Sequence, residues 1–227
     1  MYYFPAMVSL FDILGPVMVG PSSSHTAGAC RLGLMARAVL GGTPERARVR
    51  LHGSFAATGE GHGTHRAIVG GLIGLAPDDL RLRQAYEEAE SAGLKWEFEE
   101  VDLGEDAHPN TAIFEVERDG ERVQLRGASV GGGRVEVTEV DGFAVSLGGG
   151  YHTLVLLAHD EPGTIAVVAG TLASHGVNLA TMRVDRTGRH QDALMTIEAD
   201  EPIPGAALDE IRAFPWLRWA RCIEKIS

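Results

Sequence analysis

Cysteine is scarce in this chain of 227 residues: Cys30 and Cys222 stand far apart, with no CxxC spacing. Two distant thiols argue against a disulfide framework. They also fall short of the three or four ligands that an iron–sulfur cluster usually takes, so any cluster has to come from another chain. Basic residues are in deficit as well, 20 Lys and Arg against 31 Asp and Glu, for a formal net charge of −11 and a pI near 5.2. Nucleic-acid binding normally rests on a basic stripe, so nucleic acid is not an expected partner. No apolar run reaches the roughly 18 residues of a membrane span. Met1-Tyr2-Tyr3-Phe4-Pro5 has neither the basic start nor the length of a signal peptide. The expectation is a cytoplasmic protein without a membrane partner. HExxH-type spacing and accompanying acidic ligands are missing too, which speaks against a metal hydrolase built on His25, His62 and His65.

What the chain does have is two glycine-flanked stretches of hydroxyls and histidine. The first is Gly20-Pro21-Ser22-Ser23-Ser24-His25-Thr26-Ala27-Gly28. From about Thr26 the apolar positions Leu32, Met35, Ala36, Val39 and Leu40 follow helical spacing up to Gly41-Gly42, which predicts a helix with the loop at its start. A helix start offers unpaired N–H groups and the positive end of the dipole, so a small carboxylate or phosphate ligand is expected there. The second stretch is Gly59-Glu60-Gly61-His62-Gly63-Thr64-His65. A strand over Arg48 to Phe55 leads into it, and Ala67, Ile68, Gly71, Leu72 and Leu75 predict a short helix beyond. Strand, glycine loop and helix together suit ligand binding, although glycines also serve tight turns and close packing. Two such loops suggest a single site.

Further on, Leu82 to Ala92 reads as a helix ending at Gly93, and Trp96, Phe98 and Val101 as a strand. Asp119-Gly120 and Asp141-Gly142 each join strand-like runs as hairpin turns. Gly131-Gly132-Gly133 forms a third loop where backbone can approach a ligand. Residues 1–147 are therefore expected to form an α+β domain with antiparallel strands. Gly148-Gly149-Gly150 is the expected linker. Residues 151–227 read as strand (Leu154 to Ala158), helix (Ile165 to Ser174), strands Val177 to Val184 and Ala193 to Ala199, helix (Pro204 to Phe214) and strand (Ala220 to Ile226). That order is the ferredoxin-like βαββαβ. With Asp160 to Ile165 at the first turn and Gly176-Val177-Asn178-Leu179 opening the second strand, it resembles the ACT domain, a regulatory module that often pairs edge to edge and binds amino acids at that turn. The resemblance implies Glu161, Pro162, Gly163 and Asn178 as ligand contacts and homo-oligomers formed through ACT domains. A module that only dimerises is the other reading.

The chain as a whole resembles the beta subunit of the iron–sulfur-dependent L-serine dehydratases. The likeness is carried by Phe11 to Pro16, by Gly20 to Thr26, by Gly61-His62-Gly63-Thr64, by His108-Pro109-Asn110-Thr111 and by Ser129 to Gly133. It implies a first domain shared in fold with the allosteric substrate-binding domain of some phosphoglycerate dehydrogenases. It also implies deamination of L-serine to pyruvate and ammonia. The [4Fe-4S] cluster is then held by a separate alpha subunit, where one iron acts as a Lewis acid, and this chain holds no metal. The resemblance assigns the catalytic base to His62, a role suited to histidine near neutral pH.

The expected substrate-binding set is Ser22, Ser23, Ser24, His25, Thr26, Gly63, Thr64, His108 and Asn110. His25 either orients the substrate carboxylate or holds its loop together through local hydrogen bonds. His108-Pro109-Asn110-Thr111 is also an ordinary turn sequence. Two departures stand out: His65 replaces the family's usual aspartate, and Ala29-Cys30 replaces a pairing that often includes proline. A rival reading is a stand-alone amino-acid-sensing regulatory protein.

Overall fold

The computed structural model describes residues 17–226; the Phe11 to Pro16 stretch lies outside them. Strands β1 (Arg46–Leu51), β2 (Lys95–Glu100), β3 (Thr111–Arg118), β4 (Glu121–Gly131), β5 (Arg134–Val140) and β6 (Phe143–Leu147) form a six-stranded sheet in the order β2-β1-β3-β4-β5-β6. Alternation of side chains decides its two faces. In β1, Ala47, Val49 and Leu51 are buried. Arg48 and Arg50 face solvent and pair across the strands with Glu97 at 2.5 Å and Glu115 at 2.7 Å. One face is therefore a solvated ladder of opposite charges, and the other is core. Asp119 and Gly120 (φ 50° and 79°) and Asp141 and Gly142 (φ 50° and 81°) supply the paired left-handed residues that a two-residue hairpin demands. Only β1 and β2 run parallel, because the intervening chain crosses over through helices.

Those helices are α2 (Ser54–Thr58), α3 (Thr64–Leu72) and α4 (Ala85–Ser91), the last preceded by a 3₁₀ turn at Leu80–Gln84. Before β1 comes α1 (Ala29–Leu40), entered through a π-helical turn at Ser23–Gly28. α1 ends at Gly41, whose φ of 90° makes it a left-handed cap. Leu32, Met35, Ala36, Val39 and Leu40 are buried, as their spacing predicts. α1 and α3 touch backbone to backbone. A Cβ added at Gly33 would collide with the Ile68 carbonyl, and one at Gly71 with the Cys30 carbonyl.

The remaining elements are β7 (His152–His159), α5 (Thr164–Ser174), β8 (Leu179–Arg186), β9 (Asp192–Ala199), α6 (Gly205–Arg212) and β10 (Leu217–Ile223). They build an antiparallel sheet of order β10-β7-β9-β8, the ferredoxin-like arrangement. Leu154, Leu156 and Ala158 of β7 share a core with Val168 and Leu172 of α5 and Ala207 and Ile211 of α6. The alternate residue Val155, with Leu194 and Ile223, joins the core of the first sheet. β7 is covered on both faces, which is why its sequence runs apolar without alternation.

The structure shifts some sequence expectations. The strand before the second glycine loop stops at Leu51. Gly53, at φ 58° and with no room for a side chain against Pro109, turns the chain into α2, so Phe55 is a buried helical residue. Gly131-Gly132-Gly133 is a hairpin end with φ of 105°, 62° and 77°. The Gly133 carbonyl accepts a 2.7 Å hydrogen bond from buried Arg31.

The α1–α3 contact yields a stability prediction. Gly71→Ala should destabilise the chain by about 3 kcal/mol, because rigid backbone must separate. Gly170→Ala, in α5 with nothing near the new methyl, should stabilise it by about 0.8 kcal/mol. Urea denaturation midpoints of the two variants check both signs.

Candidate functional site

The π-helical turn is organised by the residue that precedes it. Ser22 Oγ accepts from the His25 N–H at 3.2 Å, and the Ser22 carbonyl accepts from the Thr26 N–H at 2.8 Å. The hydroxyl of Ser22 is thus a helix cap. Ser23 and Ser24 are half-buried. His25 leans edge-on against Phe55, with ring centroids 5.3 Å apart. Its Nε2 lies 3.2 Å from both Ser54 Oγ and Thr58 Oγ1 of α2. Burial lowers the His25 pKa, and the neighbouring His62 adds to the effect; a hydrogen bond donated by the ring to the Ser54 backbone opposes it.

His62 follows α2 and is exposed. Its Nδ1 lies 3.0 Å from the Thr58 carbonyl. A carbonyl only accepts, so in neutral His62 the hydrogen sits on Nδ1 and the lone pair on Nε2. The His25 and His62 rings stand 5.1 Å apart, so the two sequence-predicted loops do meet. Gly63 caps α3 at φ 75°.

A cavity of about 420 Å³ opens beside His62, bordered by the Gly20-Pro21 turn, Thr26 and Gly63. Arg66, Arg83 and Tyr86 also line it, and sequence reasoning missed all three. Arg66 adjoins the histidine motif and was within reach. Nothing local marks Arg83 or Tyr86, which the crossover brings in. The Arg66 guanidinium lies 5.6 Å from the Tyr86 ring centroid, and Tyr86 stacks on Trp96 at 5.5 Å. His65 stacks on Phe98 at 4.2 Å. Burial pushes its pKa down, against a weaker opposing pull from Glu60.

Thr26 and Thr64 are both buried, Thr64 completely, and their hydroxyls have no hydrogen-bond partner among the described residues. Thr64 is not part of the cavity wall. His108 is exposed in a local turn, where its Nδ1 accepts from the Asn110 N–H at 3.1 Å and its carbonyl accepts from Thr111 Oγ1 at 2.6 Å. Asn110 is tied to β4: its Nδ2 donates to the Ser129 carbonyl at 3.4 Å, and its carbonyl accepts from the Ser129 N–H at 3.0 Å. Ser129 packs so closely on Gly28 that a methyl there would collide with it. The Pro109 carbonyl accepts from the Phe55 N–H at 3.3 Å. The third motif therefore buttresses the other two from behind. Asn110 Oδ1 and Ser129 Oγ are buried there without a partner among the described residues.

In the C-terminal unit, Glu161, Pro162 and Gly163 line a cavity of about 290 Å³ together with Arg186, Arg189 and His190. Asp160 closes it, accepting from the His190 N–H at 3.2 Å and from Arg186 at 3.1 Å. These contacts hold its carboxyl below the usual range. Asn178 does not belong to this cavity. It precedes β8, whose first residue Leu179 pairs with Ala199, itself level with His152. That is the opposite end of the sheet from Glu161, and Asn178 Nδ2 reaches Asp200 instead, at 3.5 Å.

The two thiols do not form a cluster's ligand set. Cys30 is fully buried and donates to the Leu75 carbonyl at 3.2 Å, and burial pushes its pKa up to about 12. Burial also raises the pKa of half-buried Cys222. Among the described residues no three His, Cys, Asp or Glu side chains are grouped as a metal would need. No described helix is long and apolar enough to cross a membrane.

Comparison with known proteins adds the following. Residues 9–95 match the family described as serine dehydratase beta chain, and residues 152–215 match the ACT domain. The chain is 45% identical over 207 residues to the probable L-serine dehydratase beta chain of Bacillus subtilis, covering 91% of this chain and 94% of that one. It is 37% identical over 197 residues to the L-serine dehydratase beta chain of Peptoniphilus asaccharolyticus, covering 86% and 88%. A D-3-phosphoglycerate dehydrogenase of Synechocystis is 27% identical over 85% of this chain, which spans 35% of that protein.

His25 and His65 both sit below their ordinary value of 6.5. The unfolded chain then binds more protons than the folded one as pH falls past that value. Stability should be fully present above about pH 6.5 and decline as pH drops through the folded values. Urea midpoints taken between about pH 8 and 5 measure the decline. His65→Phe, which keeps a ring on Phe98 and removes one titration, should make it shallower.

Proposed function

The chain belongs to the family of L-serine dehydratase beta chains, and we propose that it works as the beta subunit of an L-serine ammonia-lyase, converting L-serine to pyruvate and ammonia with an alpha subunit. The observation that carries the chemistry is the state of His62. Its Nδ1–H is held by the Thr58 carbonyl, so Nε2 is left as a base beside a cavity whose charged lining is Arg66, Arg83 and Glu60. Nε2 takes the α-proton of serine. The imidazolium that forms keeps its bond to the Thr58 oxygen, which stabilises the new charge. Arg66 and Arg83 suit the substrate carboxylate. Loss of the α-proton and the β-hydroxyl leaves 2-aminoacrylate, whose imine tautomer hydrolyses to pyruvate and ammonia.

The group that assists departure of the hydroxyl is, in this reading, a [4Fe-4S] cluster. The two thiols of this chain do not fit it, so we place it on the alpha subunit. The exposed His62 then faces a site closed by that partner, and the beta chain alone is inactive. Residues 1–147 supply the catalytic face, and residues 151–227 act as an ACT module. Glu161, Pro162 and Gly163 take an amino acid in the smaller cavity, and β8, the end strand of its sheet, pairs with a second copy. A cytoplasmic location goes with the same reading. The alternative of a stand-alone sensor is not favoured by the two dehydratase beta chains that match along most of their length.

Co-expression with a candidate alpha chain without oxygen should give serine-dependent pyruvate formation, while the purified beta chain gives none. His62→Ala in the assembled complex should lower kcat by about 10²- to 10⁴-fold and leave assembly unchanged. Turnover by the beta chain alone, or full activity in the variant, would overturn this assignment.

A further inference from the structure

We propose that Thr58, outside every motif described above, is the positioning residue that holds His25 and His62 in opposite tautomers. Thr58 ends α2, and its carbonyl receives two hydrogen bonds from one residue beyond the helix. That carbonyl accepts from the His62 backbone N–H at 3.2 Å and from the ring at Nδ1 at 3.0 Å. The hydroxyl of the same residue turns the other way. Thr58 Oγ1 lies 2.9 Å from the Ser54 carbonyl, which can only accept, so the hydroxyl hydrogen is committed there. What remains on Oγ1 is lone pairs, and these face His25 Nε2 at 3.2 Å.

A hydrogen on Nε2 makes that contact a hydrogen bond and lets Ser54 Oγ, also at 3.2 Å, share it. The other tautomer would set the Nε2 lone pair against that of Thr58 and leave only Ser54 able to donate. The first arrangement satisfies both hydroxyls, so His25 carries its hydrogen on Nε2 and presents Nδ1 as an acceptor. Burial also lowers the His25 pKa, against a hydrogen bond to the Ser54 backbone. One residue therefore sets two bases 5.1 Å apart, with the free lone pair on Nε2 of His62 and on Nδ1 of His25.

The consequence for substrate binding rests on the dehydratase reading; the tautomers do not. A neutral His25 whose only N–H is turned toward α2 has none to offer a carboxylate. It can accept from an ammonium or a hydroxyl. The carboxylate of an amino-acid substrate is then left to Arg66 and Arg83 of the cavity, whose wall does not include His25.

The test uses the whole beta chain labelled with ¹⁵N at histidine, where long-range ¹H–¹⁵N correlation spectra distinguish protonated from unprotonated ring nitrogens. In the unaltered chain His62 should carry hydrogen on Nδ1 and His25 on Nε2. Thr58→Val keeps the carbonyl and removes the hydroxyl, so His62 should be unchanged while His25 moves toward the Nδ1–H form as Ser54 donates to Nε2. Thr58→Ser should restore the original pattern. Ser54→Ala, which removes the competing donor, should keep His25 on Nε2–H and serves if the valine variant does not fold. In the reconstituted complex Thr58→Val should lower kcat/KM by about fivefold, the scale of one neutral hydrogen bond, and the serine variant should recover it. His62 carrying its hydrogen on Nε2, a valine variant with His25 unmoved, or an alanine variant that loses Nε2–H would overturn the proposal. The expected tautomers without any serine turnover would instead leave it standing and count against the dehydratase reading.

Discussion

The contact on which the site depends is the one between the backbones of α1 and α3, where Gly33 and Gly71 leave no space for a side chain. Each helix is the continuation of a motif loop, so the crossing of the helices decides how far apart the loops stand. With larger residues at the crossing the helices would separate by ångströms. His25 and His62 would then no longer meet across α2. The glycines look like loop chemistry in the sequence, yet these two act as a spacer inside the helical layer. α2 is the third part of the arrangement. It is barely more than one turn long, and it exists because Gly53 bends the chain away from β1 in time for Ser54 and Thr58 to lie against the histidines.

A second dependence runs between the two sheets. β7 serves both cores: Leu154 and Leu156 pack under α5 and α6, while Val155 packs with the first sheet's residues. Arg221 of β10 reaches across to Glu121 at 2.5 Å and to the Leu40 carbonyl at the end of α1 at 3.4 Å. α1 thus adjoins the candidate site at its start and the C-terminal unit at its end. The Asp160–Arg186–His190 corner lies beside the turn at Glu161–Gly163 and lines the smaller cavity there.

Much of this was legible in the sequence because it is written in local chemistry. The two Asp-Gly hairpins, the Gly41 cap, the apolar spacing of α1 and the βαββαβ order all follow from residues acting on their immediate neighbours. The meeting of His25 and His62 was also readable, from motif and resemblance together. What was not readable depends on distant partners. Phe55 continues the alternation of β1, and only the obstruction of Gly53 by Pro109 shows that the strand has ended. Thr64 belongs to a chemical motif, but the packing of α3 buries its hydroxyl. Asn178 is near Glu161 only along the chain, since an intervening helix returns it to the far end of the sheet. Arg83 and Tyr86 stand at the cavity because the crossover from β1 to β2 has to pass there, a fact of topology that no short pattern records.

The C-terminal unit begins just after Gly149 and finishes where Ile226 donates its backbone N–H to the Gly149 carbonyl at 2.9 Å. Entry and exit are therefore pinned to one another. Three glycines in a row suggest a slack tether, but here the two ends of the unit are joined, beside a core that Val155 and Ile223 share with the first sheet. The junction is a clasp: neither terminus of the unit can leave it alone, so the glycines turn the chain without loosening it.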